Sequence, residues 1–155
     1  STIKNIFFCK IFYFLQRLLQ KYCIIKKYQF HIVRKGNIMS ILFLEYPKCS
    51  TCKKAKQWLF DHNVAFEDRD IKEQNPTEEE LKGWHERSGL DIKRFFNTSG
   101  MLYKEMKLKD RLPEMPLEEK YSLLATDGML VKRPILVTEK GITTGFKPEE
   151  WEKLI

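Results

Sequence analysis

The chain has 155 residues, enough for one domain with a hydrophobic core. Its 43% hydrophobic and 13% aromatic content excludes a disordered protein, its four cysteines are too few for a disulfide scaffold, and no apolar run is long enough to predict a membrane-spanning helix. The formal charge of +7 comes from residues 1–38, which hold eight basic residues and no acid, so residues 39–155 carry −1 and direct binding of nucleic acid is not expected.

The first 38 residues differ in composition from the rest of the chain, being rich in Phe, Tyr, Ile and Lys and free of Pro. Lys10 interrupts their first apolar stretch, which disfavours a secretory signal. Three interpretations stay open: translated upstream sequence, a basic amphipathic helix over residues 10–21 that binds a membrane surface or a partner, and a further folded element. Codons for the Lys-Gly pair at 35–36 would resemble a bacterial ribosome-binding site just before Met39, which favours the first. We therefore predict a non-native, or disordered or helical, extension followed by one folded domain over residues 39–155.

Beyond Met39, apolar runs and alternating patterns predict four strands, over residues 41–46, 64–71, 134–139 and 142–146. Helix signals predict helices from 50–51 to 61–63, from the capping Thr77 to about Arg87, in short pieces at 91–96, 101–107 and 116–127, and from Pro148 onward. The order is β-α-β, then helices, then β-β-α. It predicts an α/β, thioredoxin-like fold: a four-stranded mixed sheet flanked by helices, with a helical insertion between strands 2 and 3.

The stretch EYPKCSTCKKAKQWL, residues 45–59, places two cysteines where the first strand passes into the first helix. Cys49 should lie in the loop and Cys52 in the first helical turn, where free backbone N–H groups and neighbouring lysines favour a thiolate. We predict that Cys49 is the exposed nucleophile and that Cys52 is the resolving thiol that closes a disulfide with it.

Two other interpretations of the cysteine pair are less favoured. A zinc site would need two more ligands, but Cys9 and Cys23 lie in the doubtful first segment and the histidines have no ligand spacing (His31, His62, His85). The pair could also be two inert buried thiols, since free cysteine is often a small buried hydrophobe. His62 and His85 are both expected at the surface.

Arg133-Pro134 stands just before the third predicted strand. In a thioredoxin-like fold this junction faces the C-x-x-C loop, and a cis Pro134 would place Arg133 beside the sulfur, where a guanidinium holds an oxyanion or steadies a thiolate. The alternative is that Pro134 merely begins an edge strand and that Arg133 is solvated.

With these residues in view, the chain resembles the arsenate reductase-like (ArsC) family, and within it the Spx/MgsR-type branch. The resemblance covers residues 40–155 and rests on four stretches: YPKCSTCKKAKQWL, FFNTSG, DGMLVKRPILV and TTGFKPEEW. It implies a thioredoxin-like fold, with Cys49 as the nucleophile and Arg133 as the arginine before the proline.

The resemblance also implies an oxyanion site. Arsenate reductases of this class bind arsenate at the cysteine with three arginines and take electrons from glutathione and glutaredoxin. Here Arg133 is retained, whereas the other two positions hold Asn97 and Lys147. With Ser50 and Thr51 these form the predicted oxyanion- or substrate-binding set. Because an amide lacks the charge and the bidentate fork of a guanidinium, arsenate itself is in doubt as a substrate.

The Spx branch implies a different role. Its members bind the carboxy-terminal domain of the RNA polymerase α subunit, using a glycine in the region of Gly89, and respond to a disulfide in the C-x-x-C pair. We predict a cytoplasmic thiol-disulfide oxidoreductase of arsenate reductase type, with a redox-sensing transcriptional regulator as the alternative. We expect a monomer without bound cofactor or metal, no contact with a membrane, and an external reductant: a low-molecular-weight thiol such as glutathione, or glutaredoxin or thioredoxin.

Overall fold

A four-stranded mixed sheet organises the part of the chain that the computed structural model describes, residues 41–155. The expectations for residues 1–38 lie outside the described residues. The spatial order is β2-β1-β3-β4. Strand bounds are β1 Ile41–Glu45, β2 Phe66–Asp70, β3 Ile135–Val137 and β4 Ile142–Thr144.

Six helices and two 3-10 turns flank this sheet within the described residues. They are α1 Ser50–Asp61, α2 Glu78–Ser88, α3 Met101–Glu105, α4 Leu108–Arg111, α5 Leu117–Thr126 and α6 Pro148–Trp151, with turns at Ile92–Phe95 and Gly128–Leu130. Helix α1 connects the parallel pair β1 and β2, β3 is antiparallel to β1, and β4 is antiparallel to β3. The predicted thioredoxin-like fold, with its helical insertion between strands 2 and 3, is confirmed.

The alternating side chains of β1 face two hydrophobic cores. Phe43 packs in a core with residues of α1, β3 and α6 (Ala55, Leu59, Leu136, Trp151). Leu44 belongs to a larger core that includes residues of α2, of α5 and of other parts of the insertion. Both side chains are fully buried. The central strand is thus covered on both sides, which holds its carboxyl end, and the loop that carries Cys49, in a fixed place.

The insertion differs from the prediction at one helix. The predicted helical piece over residues 101–107 ends early, and α4, which was not predicted, follows it. Lys107 adopts a left-handed backbone conformation with φ of 51°, which ends one helical turn and starts another. The separation of the buried Leu108 and Leu112 by four residues is the sequence signal that marks α4.

Helix α2 begins as predicted, at a capping box formed by Thr77 and Glu80, and Gly89 caps its end with φ of 63°. The surface placement predicted for His85 is wrong. Its ring is half-buried, and Nδ1 lies 2.6 Å from the hydroxyl oxygen of Tyr121. This contact ties α2 to α5.

Gly128 is the tightest backbone contact of the insertion. A Cβ at this position would lie 1.9 Å from the backbone carbonyl oxygen of Ile71, just after β2. We expect Gly128→Ala to lower the free energy of unfolding by about 2–3 kcal/mol, because main-chain atoms must move to admit the methyl group. Gly83→Ala is the matched control, since no atom lies within 4 Å of its Cβ position in α2 and alanine should stabilise that helix by about 0.5–1 kcal/mol. Urea denaturation of both variants measures the difference, and equal stability would contradict the prediction.

Candidate active site

The C-x-x-C pair lies at the start of α1, as predicted. Cys49 is the N-cap residue, in extended conformation, and its backbone N–H donates to the Tyr46 carbonyl at 2.9 Å. Its carbonyl accepts the Lys53 N–H at 3.1 Å, which opens the helix. Cys49 is half-buried and Cys52 is fully buried, and both are free thiols. One sulfur is therefore accessible and the other is held inside.

The surroundings of Cys49 favour its thiolate. Burial opposes ionisation, but the backbone N–H groups of Cys52 and Thr51, the Cys52 thiol and the positive charge of Arg133 together outweigh it. The pKa of Cys49 therefore lies below its ordinary value of 9.0. The helix start stabilises the anion, as predicted, and the positive charge that contributes is that of Arg133.

The surroundings of Cys52 favour its thiol. Burial, helped by the hydrogen bond to Cys49 and by the negative charges of Cys49 and Glu45, raises the pKa of Cys52 to about 12, although the Tyr46 backbone N–H acts in the lowering direction. The two cysteines thus differ in the direction of their pKa shifts, although only two residues separate them along the chain. At a given pH below 9, a larger fraction of Cys49 than of Cys52 is therefore thiolate, the form of cysteine that reacts as a nucleophile.

Arg133 contacts the strand side of the C-x-x-C loop. The Arg133-Pro134 peptide bond is cis, as predicted, and β3 lies between β1 and β4, so the edge-strand alternative is wrong. The guanidinium carbon lies 5.2 Å from the centroid of the Tyr46 ring, and Nη1 donates to the Met129 carbonyl at 3.4 Å. Its Nε is buried and makes no hydrogen bond within residues 41–155.

A cationic cleft of about 670 Å³ adjoins this arginine. Its walls carry five cations and one acid, Asp91, together with the rings of Phe96 and Phe146. The cations come from the 3-10 turn between α2 and α3, from the segment before β3 and from the start of α6 (Lys93, Arg94, Lys132, Arg133, Lys147). Such a cleft is suited to an organic anion. Its cations can pair with the charged groups of the anion, and its two aromatic rings can pack against the apolar part.

Three of the predicted site residues line this cleft: Thr51, Arg133 and Lys147. Lys147 also pairs with Glu150, with 2.6 Å between Nζ and Oε1. Ser50, the first residue of α1, is exposed and is not among the lining residues.

Asn97 also lies outside the cleft lining. It is 9% exposed, and its Nδ2 donates to the Met129 carbonyl at 3.1 Å. Arg133 donates to the same carbonyl. Asn97, one of the two residues that replace an arginine of the family pattern, therefore bonds the same backbone carbonyl as Arg133.

Sequence reasoning missed three cations of the cleft, Lys93, Arg94 and Lys132. The first two belong to the 3-10 turn Ile92–Phe95, whose N-cap Asp91 accepts the Lys93 N–H. The sequence signal for these cations was a Lys-Arg pair, which occurs in DIKRFF and again in LVKRP, next to stretches already singled out.

The asymmetry between the cysteines leads to a titration prediction. In the reduced protein, alkylation of Cys49 by iodoacetamide should rise with pH to a midpoint below 9.0, whereas Cys52 should react only as the pH nears 12. The sign follows because only the thiolate reacts and Cys49 loses its proton first. Peptide mapping after timed alkylation separates the two sites. Coincident midpoints would contradict the prediction.

No group of three or more His, Cys, Asp and Glu side chains is arranged to hold a metal ion in residues 41–155. None of the helices described is long and apolar enough to cross a membrane.

Fold and site together define a thioredoxin-like protein with a C-x-x-C pair at the start of its first helix and a cis proline opposite. The model of the ArsC family matches residues 44–154, and the chain belongs to this family.

Three known proteins place the chain within this family. It is 50% identical over 115 residues to the uncharacterized protein YusI of Bacillus subtilis, covering 74% of this chain and 98% of YusI. It is 34% identical over 114 residues to the regulatory protein MgsR of the same organism, covering 74% and 89%. The crystal structure of a possible arsenate reductase from Streptococcus mutans is 45% identical, with a TM-score of 0.68, and covers 75% of this chain and 99% of that one.

Proposed function

We propose that the protein is a thiol-disulfide oxidoreductase of arsenate reductase type, with Cys49 as nucleophile and Cys52 as resolving thiol. The observation that carries the proposal is the placement of the two cysteines at one helix start: Cys49 is the half-buried N-cap residue and Cys52 lies fully buried in the first turn. The opposite directions of their pKa shifts, with the positive charge of Arg133 acting on Cys49, agree with these roles.

The proposed reaction proceeds in two exchange steps. The Cys49 thiolate attacks one sulfur of an organic disulfide, forms a mixed disulfide and releases a thiolate. Cys52 then loses its proton and attacks the Cys49 sulfur, which forms the Cys49–Cys52 disulfide and releases the second thiol. Two electrons have passed from the protein to the substrate. Glutathione, glutaredoxin or thioredoxin would return them by the reverse exchange.

The cleft supports an anionic substrate. Neither cysteine is among the lining residues, but Arg133 both lines the cleft and acts on Cys49, so the cleft adjoins the C-x-x-C pair. Arg133, Thr51 and Lys147 would hold one anionic group of a substrate, and Lys93 and Arg94 would hold a second. An oxyanion such as arsenate would use only part of the 670 Å³. An organic disulfide or thiol with carboxylates would use more of it, so we propose this class as the better substrate.

A regulator is the second candidate, because MgsR, at 34% identity, is named as a regulatory protein. In this case the disulfide would change a surface, and the partner would be the carboxy-terminal domain of the RNA polymerase α subunit. Gly89 is exposed at the end of α2, where no atom lies within 4 Å of its Cβ position, so this turn is open to a partner.

Titration of the full chain against glutathione redox buffers tests the first proposal. The background should be the Cys9→Ser, Cys23→Ser variant, so that Cys49 and Cys52 are its remaining thiols. Trapping followed by intact mass should show loss of two protons at a potential near the cytosolic one. A chain in which both thiols stay free, or in which Cys49 carries only a glutathione adduct, would overturn the C-x-x-C couple.

Pull-down of the polymerase α domain by the reduced and the oxidised chain tests the second candidate. Binding that changes with the redox state would support a regulator, whereas absence of binding in both states would exclude this partner. Under either candidate we propose a monomer without bound cofactor that acts in the cytoplasm, where external thiols are reduced.

A further inference from the structure

A second cavity, which the reaction described above does not use, lies beside the cationic cleft. It has a volume of about 170 Å³ and is lined by residues of the 3-10 turn Ile92–Phe95, of α4 and of α5. Lys109 of α4 and Lys120 of α5 line this cavity and not the cleft. Leu112 and Pro113, which follow α4, give it an apolar wall.

The two cavities share part of their walls. Asp91, Lys93 and Phe96 line both of them. The cleft also reaches the C-x-x-C segment, because Thr51, which stands between the two cysteines in the chain, is one of its lining residues. Together the two cavities therefore form one groove that extends from the C-x-x-C segment to the helices of the insertion.

This groove is strongly positive. Lys109 and Lys120 bring the number of its cations to seven, against one acid, Asp91. The side chain of Asp91 already accepts the backbone N–H of Lys93 at 2.7 Å. Among the residues that the structure describes, Lys147 is the one of these seven cations that has an ion-pair partner. Like charges that share a groove without counter-charges favour an anionic ligand that extends along it.

The arrangement of the cations favours an acidic peptide over other anions. A small organic anion can bind in the cleft without contacting Lys109 or Lys120. A ligand that pairs with cations in both cavities must pass Lys93, so it must be an extended chain with several anionic groups. Leu112 and Pro113 offer apolar contacts to side chains between those groups. A nucleic acid is less favoured, because residues 39–155 carry a net charge of −1 and would repel a long polyanion elsewhere on their surface.

We propose that this groove docks an acidic peptide segment, so that the substrates of the protein include cysteines within acidic stretches of other proteins. Lys109 and Lys120 would pair with carboxylates of the segment in the second cavity, while Arg133 and Lys147 pair with others in the cleft. The two lysines of the insertion would thus determine specificity. This inference rests on the function proposed above and names its substrate class.

The chemistry is the two-step exchange applied to a disulfide of the peptide. The Cys49 thiolate bonds to the sulfur of the peptide cysteine, and the former partner of that cysteine leaves as a thiolate. Cys52 then gives its proton to solvent and bonds to the Cys49 sulfur, and the peptide leaves as a thiolate. The protein loses two electrons and the substrate disulfide gains them.

Docking can be measured apart from chemistry with a synthetic peptide that carries glutamates on both sides of a serine. Fluorescence anisotropy with a neutral dye gives its affinity for the full chain in the Cys9→Ser, Cys23→Ser background. Replacing Lys109 and Lys120 together by glutamine should weaken binding about threefold to tenfold. The same peptide with glutamines in place of the glutamates should bind both proteins equally. Because the basic residues of segment 1–38 are present in every variant, only differences between variants count.

A second double variant, Lys72→Gln with Lys104→Gln, is the matched control. Both lysines are exposed and line neither cavity, so the net charge changes equally while the groove stays intact. This variant should bind the acidic peptide as the parent does. Lys109→Arg with Lys120→Arg should also retain the parent affinity, because it keeps both charges. Added salt should reduce the difference between the parent and the glutamine variant.

The exchange itself is followed with the peptide that has cysteine in place of serine, supplied as its 2-pyridyl disulfide. Attack by Cys49 releases 2-thiopyridone, which is coloured and uncharged. Replacing Lys109 and Lys120 by glutamine should raise the peptide concentration that gives half the limiting rate, and leave the limiting rate near that of the parent. The rate with 5,5′-dithiobis(2-nitrobenzoate), a small dianionic disulfide, should stay unchanged.

Three outcomes would overturn the inference: equal weakening in both glutamine variants, no weakening in either, or tighter binding of a single-stranded oligonucleotide than of the acidic peptide. The first would show an effect of net charge alone, and the third would make the partner a nucleic acid. Peptide binding that depends on Lys109 and Lys120, without release of 2-thiopyridone, would support the docking site and refute the function proposed above.

Discussion

Replacing Cys49 by serine is expected to abolish the Cys49–Cys52 disulfide and to slow reaction with an organic disulfide by about tenfold or more. In the variant, Cys52 would be the remaining nucleophile of the pair. With a pKa near 12, about one part in 10⁵ of it is thiolate at neutral pH, against about one part in 100 or more for Cys49. Two effects offset part of this difference but not all of it. The Cys52 thiolate is the stronger nucleophile, and the pKa of Cys52 falls once the negative charge of Cys49 is absent.

The measurement is release of thiolate from a disulfide reagent, again in the background without Cys9 and Cys23. Cys52→Ser is the matched control, because it keeps the nucleophile and removes the resolving thiol. It should react once, at a rate near that of the parent, and stop at the mixed disulfide. A Cys49→Ser variant that reacts as fast as the parent would show that Cys52 is the nucleophile.

Replacing Arg133 by methionine should slow reaction with a dianionic disulfide by about tenfold and with neutral 2-hydroxyethyl disulfide by about two- to threefold. Loss of the positive charge raises the pKa of Cys49, which lowers the thiolate fraction for both reagents. It also removes a cation from the cleft, which affects only the reaction with the anionic reagent. The midpoint for alkylation of Cys49 should move to higher pH.

Arg111→Met is the control for this substitution. Like Arg133, Arg111 donates from Nη1 to a backbone carbonyl at 3.4 Å, but it lies on α4 and is not among the cleft residues. It should change neither rate. Arg133→Lys should recover part of the discrimination, because it restores the charge without the planar fork. Equal slowing of both reagents by Arg133→Met, with no shift in the midpoint, would contradict a role in anion binding.

The local features of this fold follow from short stretches of sequence. The capping Thr77 predicts the start of α2, and in the structure its side chain accepts the backbone N–H of Glu80. The observed helix bounds differ from the predicted ones where tertiary contacts override the local sequence pattern. Lys107 takes a left-handed conformation that no local signal requires, and α4 follows it.

The substrate-facing side of the site was less predictable. Asn97 was expected to face an oxyanion because of its place in the family motif, but its amide bonds the Met129 carbonyl. Arg94 was not expected in the site, yet it lines the cleft. A side chain can turn either towards the cleft or towards the backbone of the DGMLV segment, and residue type alone does not distinguish the two.

The sequence by itself determined that two cysteines stand at a strand-to-helix junction, because strand, loop and helix signals all fall within residues 41–61. Only the tertiary structure decided which charges act on those sulfurs. Glu45 and Lys56 meet through packing of α1 on the sheet, and Arg133 is 84 positions beyond Cys49 along the chain. Their effects depend on distance and burial, and these were set when β3 paired with β1 and placed the cis proline opposite the helix start.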